Sequence, residues 1–71
     1  MPNMQNVDSS SIEAIGYEAG RRELHVRFRK TGETYIYYAV GERVYAEMMQ
    51  SESKGRYLNA NIKPNYRVRK P

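Results

Sequence analysis

The stretch "ETYIYYAV", residues 33–40, places Tyr35, Tyr37 and Tyr38 within four positions of a 71-residue chain that has seven tyrosines in all. Its segment "TYIYY" (34–38) is β-branched and aromatic throughout, which suits a pleated, half-buried strand. Upstream, "ELHVRFR" (23–29) alternates cleanly, with Leu24, Val26 and Phe28 on one face and His25, Arg27 and Arg29 on the other. The connection "KTGE" is of hairpin length and contains a glycine. Hairpin register decides where the tyrosines point, because cross-strand partners share a face and a one-residue slip exchanges faces. If "TG" is a two-residue turn, or "KTGE" a four-residue loop, Phe28 pairs with Tyr35 and Val26 with Tyr37. Tyr35 and Tyr37 then join the core face, and Ile36 and Tyr38 lie outside beside His25, Arg27 and Arg29. If Gly32 instead takes the left-handed position of a bulged three-residue turn, Val26 pairs with Ile36. Tyr35 and Tyr37 are then the outward pair. Glycine after threonine suits the bulged turn, so local chemistry leaves both registers open.

Working outward, "SIEAIGY" (11–17) carries Ile12, Ile15 and Tyr17 in an imperfect alternation, which predicts a strand with a bulge near Gly16. With "EAGRR" as a second hairpin connection, the expectation is a three-stranded antiparallel meander. The period then changes. In "GERVYAEMMQSES" the positions Val44, Tyr45, Met48 and Met49 form one helical stripe, and Glu47 falls four after Arg43 as a surface pair. Ser53 is placed to cap a second short helix with Leu58 and Ile62 at i, i+4 spacing, and Pro64 stops it. The end "NYRVRKP" either extends as a strand or trails off. The fold class expected is α+β, a three-stranded antiparallel meander followed by two short helices packed on one face. Residues 1–9 read as a flexible leader, 10–66 as the domain and 67–71 as a basic tail.

A chain this short buries only about 60–65% of the surface its unfolded form exposes, so it holds one thin core. There is no cysteine, which excludes disulfides and thiolate–metal bonds. Apolar runs of a few residues are far short of a membrane span, and "MPNMQNVDSSS" lacks the regions of a signal peptide, so a cytoplasmic monomer is expected. Net charge is +4, but unevenly spread. Residues 1–53 hold six basic and all eight acidic groups, a net of −2. Residues 54–71 hold Lys54, Arg56, Lys63, Arg67, Arg69 and Lys70 with no acid, a net of +6. Such asymmetry marks a polyanion-binding end.

"SSSIEAIGY", a hydrophobic strand ending in Phe28, a glycine turn, "YIY" and "VYAEMMQSESKGRYLNANI" together resemble the KTSC domain family. That family is named for a module at the C-terminus of some lysyl-tRNA synthetases and also occurs as free-standing small proteins. The resemblance spans residues 9 to 66, with a central Tyr-x-Tyr at Tyr35 and Tyr37 and a Ser-Lys-Gly-Arg stretch at Ser53, Lys54, Gly55 and Arg56. Ile36 between the tyrosines departs from a family that tolerates polar residues there. That tolerance implies an outward middle position, and so a core-facing Tyr35 and Tyr37. The resemblance implies RNA binding as a proposal.

Enzymatic chemistry is poorly supplied. The chain has one histidine, His25, read as exposed on a strand's polar face; the lone aspartate, Asp8, is in the leader. No zinc ligand set, cofactor or catalytic group is expected. Nucleic-acid binding is better supplied, by cations for phosphates and aromatic faces for bases. Lys54, Gly55 and Arg56 form the strongest local element, Lys63, Arg67, Arg69 and Lys70 extend it, and Arg27 and Arg29 add the outer sheet face. RNA or another polyanion is therefore the expected partner, bound with weak sequence selectivity. The rival is a protein-interaction module using an exposed sheet edge and a Tyr/Arg surface; Met48 and Met49 read first as core and only second as adaptable contacts.

Overall fold

The computed structural model describes residues 2–71. Strands β1 (Gln5–Asn6), β2 (Ile12–Glu18), β3 (Glu23–Phe28), β4 (Thr34–Tyr37) and β5 (Val68–Arg69) form one antiparallel sheet in chain order. Helix α1 (Glu42–Gln50), helix α2 (Lys54–Tyr57) and a π-helical turn (Leu58–Ile62) lie between β4 and β5. The architecture is α+β, but the sheet has five strands where three were expected. The two additional strands come from the leader and the tail. Each is two residues long, too short to carry a period that a sequence could display.

Hairpin β3–β4 answers the question of facing. Val26 pairs with Tyr35 and Leu24 with Tyr37, so both tyrosines are on the core face. The register is slid by two residues from the expected pairing of Phe28 with Tyr35. A slide of two preserves the face, since strand side chains alternate with period two. The loop runs from Arg29 to Gly32, with the Gly32 N–H donating to the Phe28 carbonyl at 2.8 Å and Gly32 at φ +74°. Glycine does take the left-handed position, at no Cβ cost, but at the end of a four-residue rather than a three-residue loop. Arg29 leaves β4 because its N–H donates to the Ser11 carbonyl at 3.0 Å, on the β2 side.

The core consists of Ile12, Ile15, Leu24, Val26 and Tyr37 from the strands with Val40, Met48, Leu58 and Ile62 from the segment between β4 and β5. Val44, Tyr45 and Met49 of the predicted helical stripe are partly buried against it. Tyr17 stacks on Tyr45, with centroids 4.7 Å apart and planes 9° apart, and its hydroxyl donates to the Val40 carbonyl at 2.6 Å. Ser53 caps α2 as expected, its Oγ accepting the Arg56 N–H at 3.3 Å. In the π-helical turn the Lys63 N–H donates to the Leu58 carbonyl at 2.9 Å, and the Asn61 side-chain amide donates to the Tyr57 carbonyl at 3.4 Å. Glu47 does not pair with Arg43; it accepts the Tyr57 hydroxyl at 2.9 Å, which ties α1 to α2.

Two further expectations are corrected. The bulge in β2 falls between Ile12 and Ala14, not at Gly16. Gly16 is needed for a different reason. A Cβ there would stand 2.7 Å from Met4 Sδ and 3.0 Å from the Asn3 carbonyl, so only glycine lets the leader lie this close to the outer face. His25, read as exposed, is 4% exposed because it sits on that outer face between Gly16 and Ile36, with Pro2 at the same recess. Its Nε2 lies 3.1 Å from Glu23 Oε1.

Tyr37 is 2% exposed, so Tyr37→Ala is expected to cost about 3–5 kcal/mol, the range for truncating a large buried aromatic. An unchanged urea midpoint would place the ring at the surface. Ala39 is exposed at φ 60°, where a Cβ costs roughly 1–2 kcal/mol and glycine's extra unfolded-chain freedom returns roughly 0.5–1. Ala39→Gly should therefore raise stability by up to about 1 kcal/mol, and a lowered melting temperature would contradict the left-handed assignment.

Candidate functional site

Five of the cations singled out in the sequence, Lys54, Arg56, Lys63, Arg69 and Lys70, line three separate surface recesses. The first, of about 470 Å³, lies where Ser9, Ser10 and Ser11 face Lys54, Gly55 and Arg56. A Cβ on Gly55 would stand 2.7 Å from Ser11 Oγ, so a side chain there would have to turn that hydroxyl aside where the serine loop meets α2. Ser9 Oγ accepts the backbone N–H groups of Ser11 and Ile12 at 3.3 and 3.1 Å, which shapes that loop. These serines fell within or next to the leader and were not singled out; the only signal in the sequence was the run of three before a strand. Charge in this recess is mixed, because Asp8 and Glu52 line it with Lys54 and Arg56. Lys54 Nζ donates to the Ser51 carbonyl at 3.3 Å.

Arg29 holds the serine loop from behind. Its Nε donates to the Ser9 carbonyl at 3.1 Å, and its Nη2 to the carbonyls of Val7 and Ile12 at 3.4 and 3.2 Å. A guanidinium occupied by three backbone carbonyls is a clasp for the leader. Arg27 is likewise engaged, 3.4 Å from Glu13 across the β2–β3 pair. Neither arginine is brought to Lys54 or Arg56.

The second recess, about 320 Å³ on the outer sheet face, is lined by Pro2, His25, Ile36, Tyr38, Arg21 and Arg69 together with the carboxylates of Glu18 and Glu23. The third, about 330 Å³ on the inner face, is lined by Tyr35, Tyr37, Lys63, Val68 and Lys70. Phe28 meets Tyr35 edge-on at 5.0 Å and 71°, and Lys63 Nζ stands 5.6 Å from the Phe28 centroid. Arg67 is exposed, and its carbonyl accepts the Tyr38 N–H at 3.0 Å beside β5. The tail cations therefore do not continue the Lys54–Arg56 patch. They flank strand β5, with Arg69 opposite Ile36 on the outer face and Val68 opposite Tyr37 on the inner one.

Among the described residues the only lysine or arginine within 4.0 Å of a carboxylate is Arg27, beside Glu13, so none of the cations of residues 54–71 is so paired. No group of three or more His, Cys, Asp or Glu that could hold a metal is present among them. No helix among them is long and apolar enough to cross a membrane.

A five-stranded antiparallel meander, with its helical segment inserted before an edge strand flanked by cations, defines a small α+β domain of one layer of sheet. The chain belongs to the KTSC domain family, whose model matches residues 8–66. A protein of Tsukamurella paurometabola is 44% identical over 65 residues, covering 92% of this chain and 96% of that one. A protein of Stutzerimonas stutzeri is 33% identical over 60 residues, covering 84% and 83%. The crystal structure of a KTSC domain protein from Yersinia pestis superposes with a TM-score of 0.93 at 39% identity, over 100% of this chain and 99% of that one.

Burial, and then the neighbouring Tyr35, push the Tyr37 phenol above its ordinary value of 10.0. Partial burial, the hydrogen bond to Glu47 and that carboxylate's charge raise Tyr57 as well. Each phenol holds its proton more tightly in the folded chain than in the unfolded one. Their contribution to stability is complete below pH 10.0 and is lost as pH climbs through the raised folded values. Urea midpoints should fall once pH exceeds about 10, and less steeply in Tyr37→Phe; identical slopes would remove Tyr37 from the effect.

Proposed function

We propose that this domain is a non-enzymatic nucleic-acid-binding module with little sequence selectivity. The observation that carries this reading is that Lys63, Arg67, Arg69 and Lys70 stand around edge strand β5 with no carboxylate partner among the described residues. Unneutralised cations seek phosphate, and phosphate contacts supply most of non-specific affinity. Lys54 and Arg56 form a second, weaker candidate, since Asp8 and Glu52 offset their charge. Arg27 and Arg29 support the fold in this reading, because Glu13 and the leader carbonyls occupy them.

The rival reading, strand addition by a protein partner, finds little template here. Both edges of the sheet, β1 and β5, are two residues long, and short edge strands are a common way of avoiding such pairing.

Fluorescence anisotropy with short single-stranded RNA is the test. A Kd of roughly 1–100 μM is expected at physiological salt, with log K falling by about 0.7 per phosphate contact for each decade of salt. Replacing Arg67 and Arg69 with alanine should flatten that slope by roughly 1–1.5 and leave the melting temperature near the parent's. No binding of RNA or DNA at low salt would sink the proposal.

A further inference from the structure

The three recesses differ in the charge that lines them, and this difference points to one of them as a ligand site. Asp8 and Glu52 line the first, and Glu18 and Glu23 the second. The third is lined by Tyr35, Tyr37, Val68, Lys63 and Lys70 alone, with no carboxylate. It joins two lysines to an apolar, aromatic surface, the combination that a nucleobase with its flanking phosphates requires.

The aromatic part is fixed in place. Tyr37 is buried in the core, whereas Tyr35 on the same face is only half-buried. Its ring is held by the edge-on contact with Phe28 at 5.0 Å. Lys63, on the far side of the π-helical turn, is drawn toward the same aromatic pair, 5.6 Å from the Phe28 centroid. Lys70 reaches the recess because β5 pairs with β4, which sets Val68 opposite Tyr37. An aromatic held rigidly beside cations stacks a base at little entropic cost.

We infer that this recess is the base-binding subsite of the proposed nucleic-acid module and that it takes an unpaired base, with Tyr35 as the stacking face and Lys63 and Lys70 on the adjoining phosphates. The inference rests on the function proposed above and narrows its ligand to single strands. Bases inside a duplex are stacked on each other and cannot enter such a recess.

The test compares a single-stranded oligonucleotide with its duplex, as RNA and as DNA, against the parent, Tyr35→Phe, Tyr35→Ala and the double variant Lys63→Gln/Lys70→Gln. Single strands should bind more tightly than the duplex, and Tyr35→Phe should retain that affinity. Tyr35→Ala should lose roughly 5- to 150-fold, the range for stacking one base. The lysine variant should weaken binding and reduce the salt slope by about 1.4, two phosphates' worth. Should Tyr35→Ala fail to fold, the Tyr35 ring signals of the parent domain must still shift in NMR spectra on adding the single strand. Equal binding of duplex, an intact Tyr35→Ala variant with parental affinity, or unmoved Tyr35 signals would each overturn the subsite while leaving polyanion binding intact. No binding of any nucleic acid at low salt would overturn the function and the subsite together.

Discussion

The β3–β4 register is the constraint on which the rest of the molecule depends. Gly32 in the left-handed region closes a four-residue loop, and that closure puts Tyr35 and Tyr37 opposite Val26 and Leu24. A register shifted by one residue would turn both rings toward solvent and put Ile36 and Tyr38 inward. The core would then lose Tyr37, the largest of its fully buried side chains, in a domain whose single core has little else to replace it. The same register aligns β4 for β5, because Val68 follows Tyr37 to the inner face and Arg69 follows Ile36 to the outer one. Glycine at position 32 thus orders the charges of a strand that lies more than thirty residues later.

The ends of the chain are held by different means. Residues 68–69 are held by pairing with β4, and Tyr66 adds a partly buried ring against the core. The N-terminal segment relies on Arg29, whose side chain donates to three carbonyls between Val7 and Ile12, and on the bare backbone of Gly16, which admits Met4. The Arg29 bonds satisfy backbone carbonyls beside a sheet edge that would otherwise present them to solvent or to another chain, while Gly16 supplies only the room for the leader to lie there. An arginine that looked free for a ligand is therefore part of the scaffold. Its substitution would disturb the serine loop of the first recess before it changed any charge a ligand could feel.

What could be read in advance was whatever repeats with a period or has a fixed local chemistry. The alternation of Leu24, Val26 and Phe28, the stripe from Val44 to Met49 and the Ser53 cap were all legible for that reason. The leader strand was not, and the tail strand stood only as one of two open readings, since two residues display no period and their pairing depends on partners elsewhere in the chain. The Ile12/Ala14 bulge was misplaced to Gly16 because a glycine within a strand marks either a bulge or a close approach, and only the fold distinguishes them. The exposure of His25 and the Arg43–Glu47 pair failed similarly. Each was inferred from one element alone, and a second element, the leader or Tyr57, supplied the actual neighbour.

The charge asymmetry of the sequence, a net of −2 before residue 54 and +6 after it, survives folding only in part. Lys54 and Arg56 are returned to acidic company, because the loop that carries Asp8 and the α1–α2 connection that carries Glu52 close on α2. Of the cations beyond Ile62, Lys63 and Lys70 escape this, whereas Arg69 shares its recess with Glu18 and Glu23. Pro64 ends the helical path, the chain crosses to the open edge of the sheet, and no acidic residue follows Glu52. An unpaired exposed cation gains little from its own fold, as surface charges rarely stabilise by more than a fraction of a kcal/mol even when paired. Four of them around one short strand are thus poorly explained by stability. Alternation along β5 divides them between two faces, and only one of those faces also offers Tyr35. The outer face sets Arg69 beside Tyr38 but also beside the carboxylates of Glu18 and Glu23. The inner one sets Tyr35 beside two lysines with no carboxylate in the same recess, so under the proposed function it is the face where phosphate attraction and base stacking would act on one nucleotide.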